Sequence, residues 1–256
     1  MKVPRFELDA RVAVVTGAGS GMGAASAVAL AAFGALVAVL DINEAAAEAV
    51  ASSIGSKALP YQCDVSDETQ VASCIAKVRK DLGPITILHN NAAVNMGYGA
   101  GDVPAADLSV AVWRKTLSVN LDGTFFMTKI ALQDMLREKR GSIINTASLA
   151  GALLGSQNTA YTAAKGGVVG FTRALVISYS GTGIRANAIL PGFVTTPMSA
   201  PVHMNALDRE RYTSSIPVGR LGEPEDVGGL VVFLASDASS YVNGAVITLD
   251  GGLSLR

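Results

Sequence analysis

Short runs of β-branched and other apolar residues alternate along this chain with longer, alanine-rich stretches of helical period. Strands that read as nearly continuous apolar runs are buried on both faces, and the alternation with helices makes the sheet parallel. Strands are expected at Val12–Thr16, Leu36–Asp41, Ala58–Gln62, 86–89, Gly141–Thr146, 184–190 and 245–249. Helices are expected at 21–33, Glu44–Ile54, Glu68–Leu82, 109–138, 160–179 and Pro224–Ala235. The pattern predicts an α/β fold: one doubly wound domain over 1–256, with a central seven-stranded parallel sheet flanked by helices on both faces. The stretches 95–108 and 192–217 read as irregular, and loops of that length in a compact domain usually carry function.

Several function classes are excluded early. The formal net charge is −1 and no run of like charges occurs, so no nucleic-acid or anionic-membrane surface is expected. No apolar run approaches the ~20 residues that span a bilayer, and Met1–Ala10 carries Lys2, Arg5, Glu7 and Asp9, unlike a secretory signal. Cys63 and Cys74 have neither disulfide-framework nor metal spacing, which reads as reduced thiols in a cytoplasmic protein. No His/Cys/Asp/Glu cluster has ligand spacing, so no metal is expected.

The first strand runs into Thr16-Gly17-Ala18-Gly19-Ser20-Gly21-Met22-Gly23 and then a helix. Residues without a Cβ allow a tight turn and let a pyrophosphate reach the unpaired N–H groups of the helix; a purely structural turn is the alternative. Asp41 follows Gly21 by twenty residues, at the end of the second strand, where its carboxylate can accept from ribose hydroxyls or cap the next helix. A 2′-phosphate would meet that carboxylate at close range, while Leu40, Ile42 and Asn43 offer no cation, so NAD is expected over NADP. Asp64-Val65 and Asn90-Asn91-Ala92-Ala93 end the third and fourth strands, where ligands bind in open α/β sheets. Asp64 can equally cap a helix, and the asparagines can satisfy backbone groups as strand turns to loop.

Tyr161 and Lys165 are four residues apart on one expected helix and share a face. A phenol ionises near ~10. An ammonium about 4 Å away, at an effective dielectric near 20, favours phenolate by up to roughly 4 kcal/mol. That lowering suits a tyrosine acting as acid in carbonyl reduction and base in alcohol oxidation. Ser148, thirteen residues before Tyr161, can stabilise the reacting oxygen or merely form a turn. Asn120 is a polar residue inside an apolar helical stretch, either bonded locally or holding a water that links Lys165 to solvent.

Taken together these residues resemble the short-chain dehydrogenase/reductase family, in its compact subgroup, over nearly the whole chain. The family's Thr-Gly-x-x-x-Gly-x-Gly turn falls on Thr16, Gly17, Gly21 and Gly23, and its Asn-Ser-Tyr-Lys tetrad on Asn120, Ser148, Tyr161 and Lys165. The resemblance implies a Rossmann-like fold and hydride transfer to or from a nicotinamide. It implies cofactor contacts at Gly17, Ser20, Gly21, Met22, Asp41, Ile42, Asp64, Val65, Asn91 and Ala92. Further contacts are implied at Pro191, Gly192, Val194 and Thr196, with Tyr161 and Lys165 also touching the nicotinamide side. A homotetramer built through the helix of Tyr161 and its neighbour is implied as well, and the small residues Ala163, Ala164, Gly166, Gly167 and Gly170 permit such packing. Two departures stand out: Ala93 replaces the usual glycine of the fourth-strand motif, and Ala147 replaces a serine before Ser148.

Stretches 94–107, 149–158 and 193–217 are expected to line the substrate pocket. They place Met96, Leu149, Leu153, Leu154, Phe193 and Met198 near the reaction centre, pointing to a neutral, largely apolar secondary alcohol or ketone. Gln157, Asn95 and His203 are the polar candidates for substrate contact, though a histidine in such a loop, as at His203, is more often a plain surface residue, and His89 reads as structural. The rival activities are a reductase of carrier-bound 3-ketoesters, which the Asp41 carboxylate disfavours, and a non-catalytic dinucleotide sensor, which has no need of Tyr161 and Lys165 together.

Overall fold

The computed structural model describes residues 5–96, 103–154, 156, 158–200 and 206–256, with the side chains of 206–208 excepted. Seven parallel strands form one sheet in the order β3-β2-β1-β4-β5-β6-β7. They are β1 (Val12–Thr16), β2 (Leu36–Asp41), β3 (Ala58–Gln62), β4 (Ile85–Asn90), β5 (Gly141–Thr146), β6 (Ile184–Pro191) and β7 (Val246–Leu249). β1 and β5 are buried along their whole length; β1 is accordingly apolar at four successive positions, whereas β5 buries Ser142, Asn145 and Thr146 beside Ile143 and Ile144.

The helices are α1 (Gly21–Ala32), α2 (Glu44–Ile54), α3 (Glu68–Leu82), α4 (Val110–Leu117), α5 (Gly123–Glu138), α6 (Thr159–Ser178), α7 (Ala206–Ser215) and α8 (Pro224–Ala235). On one face of the sheet Val15, Val39 and Ile144 pack with Leu30 of α1 and Val231 of α8. Those helices approach so closely that a Cβ on Gly228 would stand 3.0 Å from that of Ala29. On the other face Val14, Leu88 and Ile143 pack with Ile75 of α3 and Met127 of α5. Buried polar bonds tie this layer together: Asn90 donates to Thr128 at 3.0 Å and to Asn145 at 2.8 Å, and Asn145 donates to Thr172 of α6 at 2.9 Å.

Two expectations need correction. The helix expected over 109–138 is interrupted at Ser118–Asp122 by a π-helical turn. Its cause is Asn120, whose fully buried carboxamide accepts from Val94 N at 2.8 Å and donates to Val94 O at 2.9 Å. The extra residue of the wider turn re-aims that side chain at a chain segment which helical bonding alone would leave unpaired. Within 192–217, expected to be irregular, α7 forms from a polar stretch with no apolar stripe to announce it.

The strand order reverses between β1 and β4, opening a crevice at the carboxyl ends of the strands. Across that opening Thr16 Oγ1 accepts from both Asn91 N and Ala92 N at 3.0 Å, and Asn91 Nδ2 donates back to Thr16 O at 3.1 Å. The two strand ends that floor the crevice are therefore stapled together.

Candidate active site

The crevice is a cavity of about 770 Å³. Its wall at the β1–α1 turn is Gly17, Ser20, Gly21 and Met22. The turn requires glycine at specific places: Gly17 has φ +61°, and a Cβ there would lie 2.8 Å from Ala92 Cα. A Cβ on Gly23 would lie 2.2 Å from Gly17 O. Ser20, the N-cap of α1, makes no side-chain cap bond, and the first turn holds no acid, so the N–H groups there keep their positive end for an anion.

Asp41, at the end of β2, lines the same cavity with Ile42. Its carboxylate accepts from Gly19 N at 2.8 Å and Asn43 N at 2.9 Å, while Asn43, not Asp41, caps α2 by accepting from Ala46 N at 3.2 Å. Asp64 and Val65 also line it. Asp67 caps α3; Asp64 instead accepts from the Ser66 amide at 2.9 Å and hydroxyl at 2.6 Å. The capping alternative thus fails for Asp41 and Asp64. Asn91 and Ala92, with Ala93 beside them, and Pro191, Gly192, Val194 and Thr196 beyond β6 complete the expected set in the wall.

Ser148, Tyr161 and Lys165 face this cavity too. β5 delivers Ser148, whose Oγ accepts from Ala150 N at 3.2 Å, so the turn-forming reading holds alongside exposure to the cavity. α6 starts at Asn158, whose Oδ1 caps Tyr161 N at 3.3 Å and whose Nδ2 donates to Asn95. Lys165 is only 2% exposed; its Nζ donates to Thr146 O at 2.7 Å and stands 5.7 Å from the centre of the Tyr161 ring. Burial pushes the Lys165 ammonium down to about 8. An ammonium held beside the ring favours the phenolate over the neutral phenol by Coulomb attraction.

Asn120 is absent from the cavity wall; both polar atoms of its carboxamide are bonded to Val94, so that side chain holds the floor loop in place. Among the apolar residues expected at the reaction centre, Leu149, Leu154, Phe193 and Met198 line the cavity, while Met96 and Leu153 do not. Asn95 does; Gln157 and His203 lie outside the described residues. Sequence reasoning missed Lys115, Leu253 and Arg256, which also line the wall. Leu253 and Arg256 reach it by the return of the chain after β7, and no local spacing signals that. Of the small residues on α6, Gly166 and Gly167 serve contacts within the chain: their Cβ atoms would lie 3.0 Å from Gly151 O and from Leu121.

A family profile described as enoyl-(acyl carrier protein) reductase matches residues 17–254. A 2,5-dichloro-2,5-cyclohexadiene-1,4-diol dehydrogenase of Sphingobium indicum is 40% identical over 97% of this chain and 98% of its own. Meso-2,3-butanediol dehydrogenase of Serratia marcescens is 41% identical over 96% of each. The crystal structure of a gluconate 5-dehydrogenase from Burkholderia cenocepacia, in complex with NADP and tartrate, superposes with a TM-score of 0.91 at 32% identity, covering 99% of this chain and 98% of that one. The chain belongs to the short-chain dehydrogenase/reductase family. It is an oxidoreductase that uses a nicotinamide dinucleotide. The residues present fit such a group: the glycine turn is packed too tightly for a Cβ at Gly17, Gly19 or Gly23, and an uncapped helix end opens at the cavity wall. Among the described residues no helix is long and apolar enough to cross a membrane.

Proposed function

We propose that this enzyme interconverts a neutral, largely apolar secondary alcohol and its ketone, with NAD as the hydride carrier. The observation that carries the reading is the buried Lys165 ammonium over the Tyr161 ring, in the wall of the same cavity as the glycine turn. Bound in that cavity, the dinucleotide supplies or accepts the hydride. Tyr161 gives its hydroxyl proton to the carbonyl oxygen in reduction and takes it back in oxidation, with Lys165 stabilising the phenolate. Ser148 donates to the reacting oxygen, holding the substrate for transfer. Asn120 contributes by fixing Val94 rather than by touching the reactants.

Asp41 supports NAD. Its carboxylate is locked by two backbone N–H groups and cannot easily swing away from a 2′-phosphate, and neither Ile42 nor Asn43 adds a cation. The NADP held by the gluconate dehydrogenase is a property of that protein. Leu149, Leu154, Phe193 and Met198 give the substrate end an apolar lining. The cyclic and acyclic diols named for the two relatives are neutral secondary alcohols of that kind. A panel of cyclic secondary alcohols, vicinal diols and their ketones, read by NADH and NADPH absorbance, tests this. Turnover with NAD exceeding that with NADP is expected. Turnover confined to carboxylated or phosphorylated compounds, or faster with NADP, would overturn it.

The family profile's description favours a second reading, reduction of a carrier-bound acyl chain. An acidic carrier protein needs a basic collar, and the cations lining the cavity besides Lys165 are Lys115 and Arg256 alone among the described residues. Assembly as a homotetramer through α5 and α6 is supported by Phe125, 44% exposed and edge-on to Phe171, and by Gly170, where a Cβ would meet no atom of another described segment within 4 Å. A monomer by light scattering at micromolar concentration would refute it.

A further inference from the structure

His89 is completely buried near the end of β4, and the proposed reaction makes no use of it. Its Nε2 lies 2.9 Å from Thr146 Oγ1, and among the described residues its Nδ1 meets no hydrogen-bond partner. The same Thr146 offers its main-chain carbonyl to Lys165 Nζ at 2.7 Å. One residue therefore carries an imidazole on its hydroxyl and the ammonium on its carbonyl.

Thr146 has a reason to need such a support. It is the last residue of β5, and the β4 ladder ends one step earlier, with Asn90 opposite Asn145. On the β6 side Thr146 still pairs with Ile189; on the β4 side no ladder partner remains. The His89 side chain takes that place. Burial, then the nearby Lys165 charge, pushes the imidazole down to about 3, so it stays neutral at working pH and does not repel the ammonium. The bond between the neutral imidazole and the Thr146 hydroxyl therefore joins two buried side chains without placing a charge on either.

We infer that His89 is a positioning residue for Lys165: by bonding the Thr146 side chain it fixes the strand end whose carbonyl receives the ammonium, and so sets the ammonium's place beside Tyr161. The inference rests on the reading of Tyr161 and Lys165 as the proton-transferring pair. The titratable groups facing Lys165 are Tyr161 from its own helix and His89 from β4; among the described residues no carboxylate pairs with it.

The test compares His89→Gln, His89→Asn and His89→Leu. A glutamine amide nitrogen reaches the place of Nε2, whereas an asparagine amide nitrogen reaches only that of Nδ1. Two readouts are used: the Lys165 Nζ titration followed by NMR, which needs no turnover, and the pH profile of kcat for ketone reduction. In the Asn and Leu variants the Lys165 midpoint should fall by about one pH unit, because a loosened carbonyl stabilises the ammonium less. Their kcat should fall about 10-fold through misplacement of the pair. The Gln variant should restore both. Gln and Asn are similar in polarity, so their contrast stands even if the Leu variant fails to fold. Equal midpoints in Gln, Asn and wild-type protein would overturn the role, including when only melting temperatures differ. A wild type inactive on every alcohol would overturn the proposed reaction separately, leaving the NMR comparison to decide on His89.

Discussion

Lys165 and Asn120 are 2% and 0% exposed, and each is bonded to a main-chain group of another segment; Leu154 and Met198, across the cavity, are 42% and 39% exposed and present only apolar side-chain surface. The floor side chains are thus held by directional bonds, whereas the apolar side chains of the rim can form none. Proton transfer needs its partners within hydrogen-bond reach and correctly oriented, which directional bonds supply. Recognition of an apolar substrate needs only complementary area, and a methylene more or less is worth about 1–3 kcal/mol. Damage to the floor should therefore abolish chemistry or cofactor binding, while damage to the rim should rescale substrate preference.

The sharpest break of that contrast is Tyr161→Phe. It removes the proposed proton donor and keeps the ring, so turnover should fall on the order of 10³-fold with NADH affinity within a few-fold of wild type. Stopped-flow turnover and a fluorescence titration measure the two, and a variant that still turns over normally would put the chemistry elsewhere. Next is Gly23→Ala. The new Cβ would stand 2.2 Å from Gly17 O and 2.6 Å from Asn91 Nδ2. Backbone must move, at a cost of about 1–3 kcal/mol in stability, and the cradle's affinity for NADH should drop about 10-fold to 100-fold, or roughly 1.4–2.8 kcal/mol. Unchanged NADH binding would show that the turn is only structural. Smallest is Leu154→Ala at the rim. KM for the alcohol should rise a few-fold, about 3-fold to 10-fold, with kcat nearly unchanged, the mark of lost uniform binding. A large loss in kcat instead would make the rim part of the reaction floor.

The same division decides what the sequence made legible. β-branched runs and the glycine turn declare themselves locally, and β1, β2, β3 and β5 lie within their expected bounds. Ser148, Tyr161 and Lys165, which all line the cavity, stand out in the sequence because their spacing along one strand exit and one helix is itself the signal. The π-turn was not, because its cause is a bond from Asn120 to Val94, twenty-six residues away in sequence, that leaves the helical period nearly intact. α7 lacks an apolar stripe, and Arg256 reaches the cavity only through the tertiary course of the chain. His89 read as structural, since nothing in the sequence shows that β4 stops one residue short of Thr146. Tertiary bonds, unlike periodicity, leave no local mark.

The central claim is that a buried Lys165 ammonium governs the Tyr161 proton, and the pH dependence of kcat/KM for ketone reduction with NADH tests it most directly. The ammonium is present at low pH and lost as pH rises through about 8, the value to which burial lowers it. Catalytic efficiency should therefore hold steady below that point and decline above it. A profile flat to about pH 10, where an unperturbed lysine would first release its proton, would contradict the account.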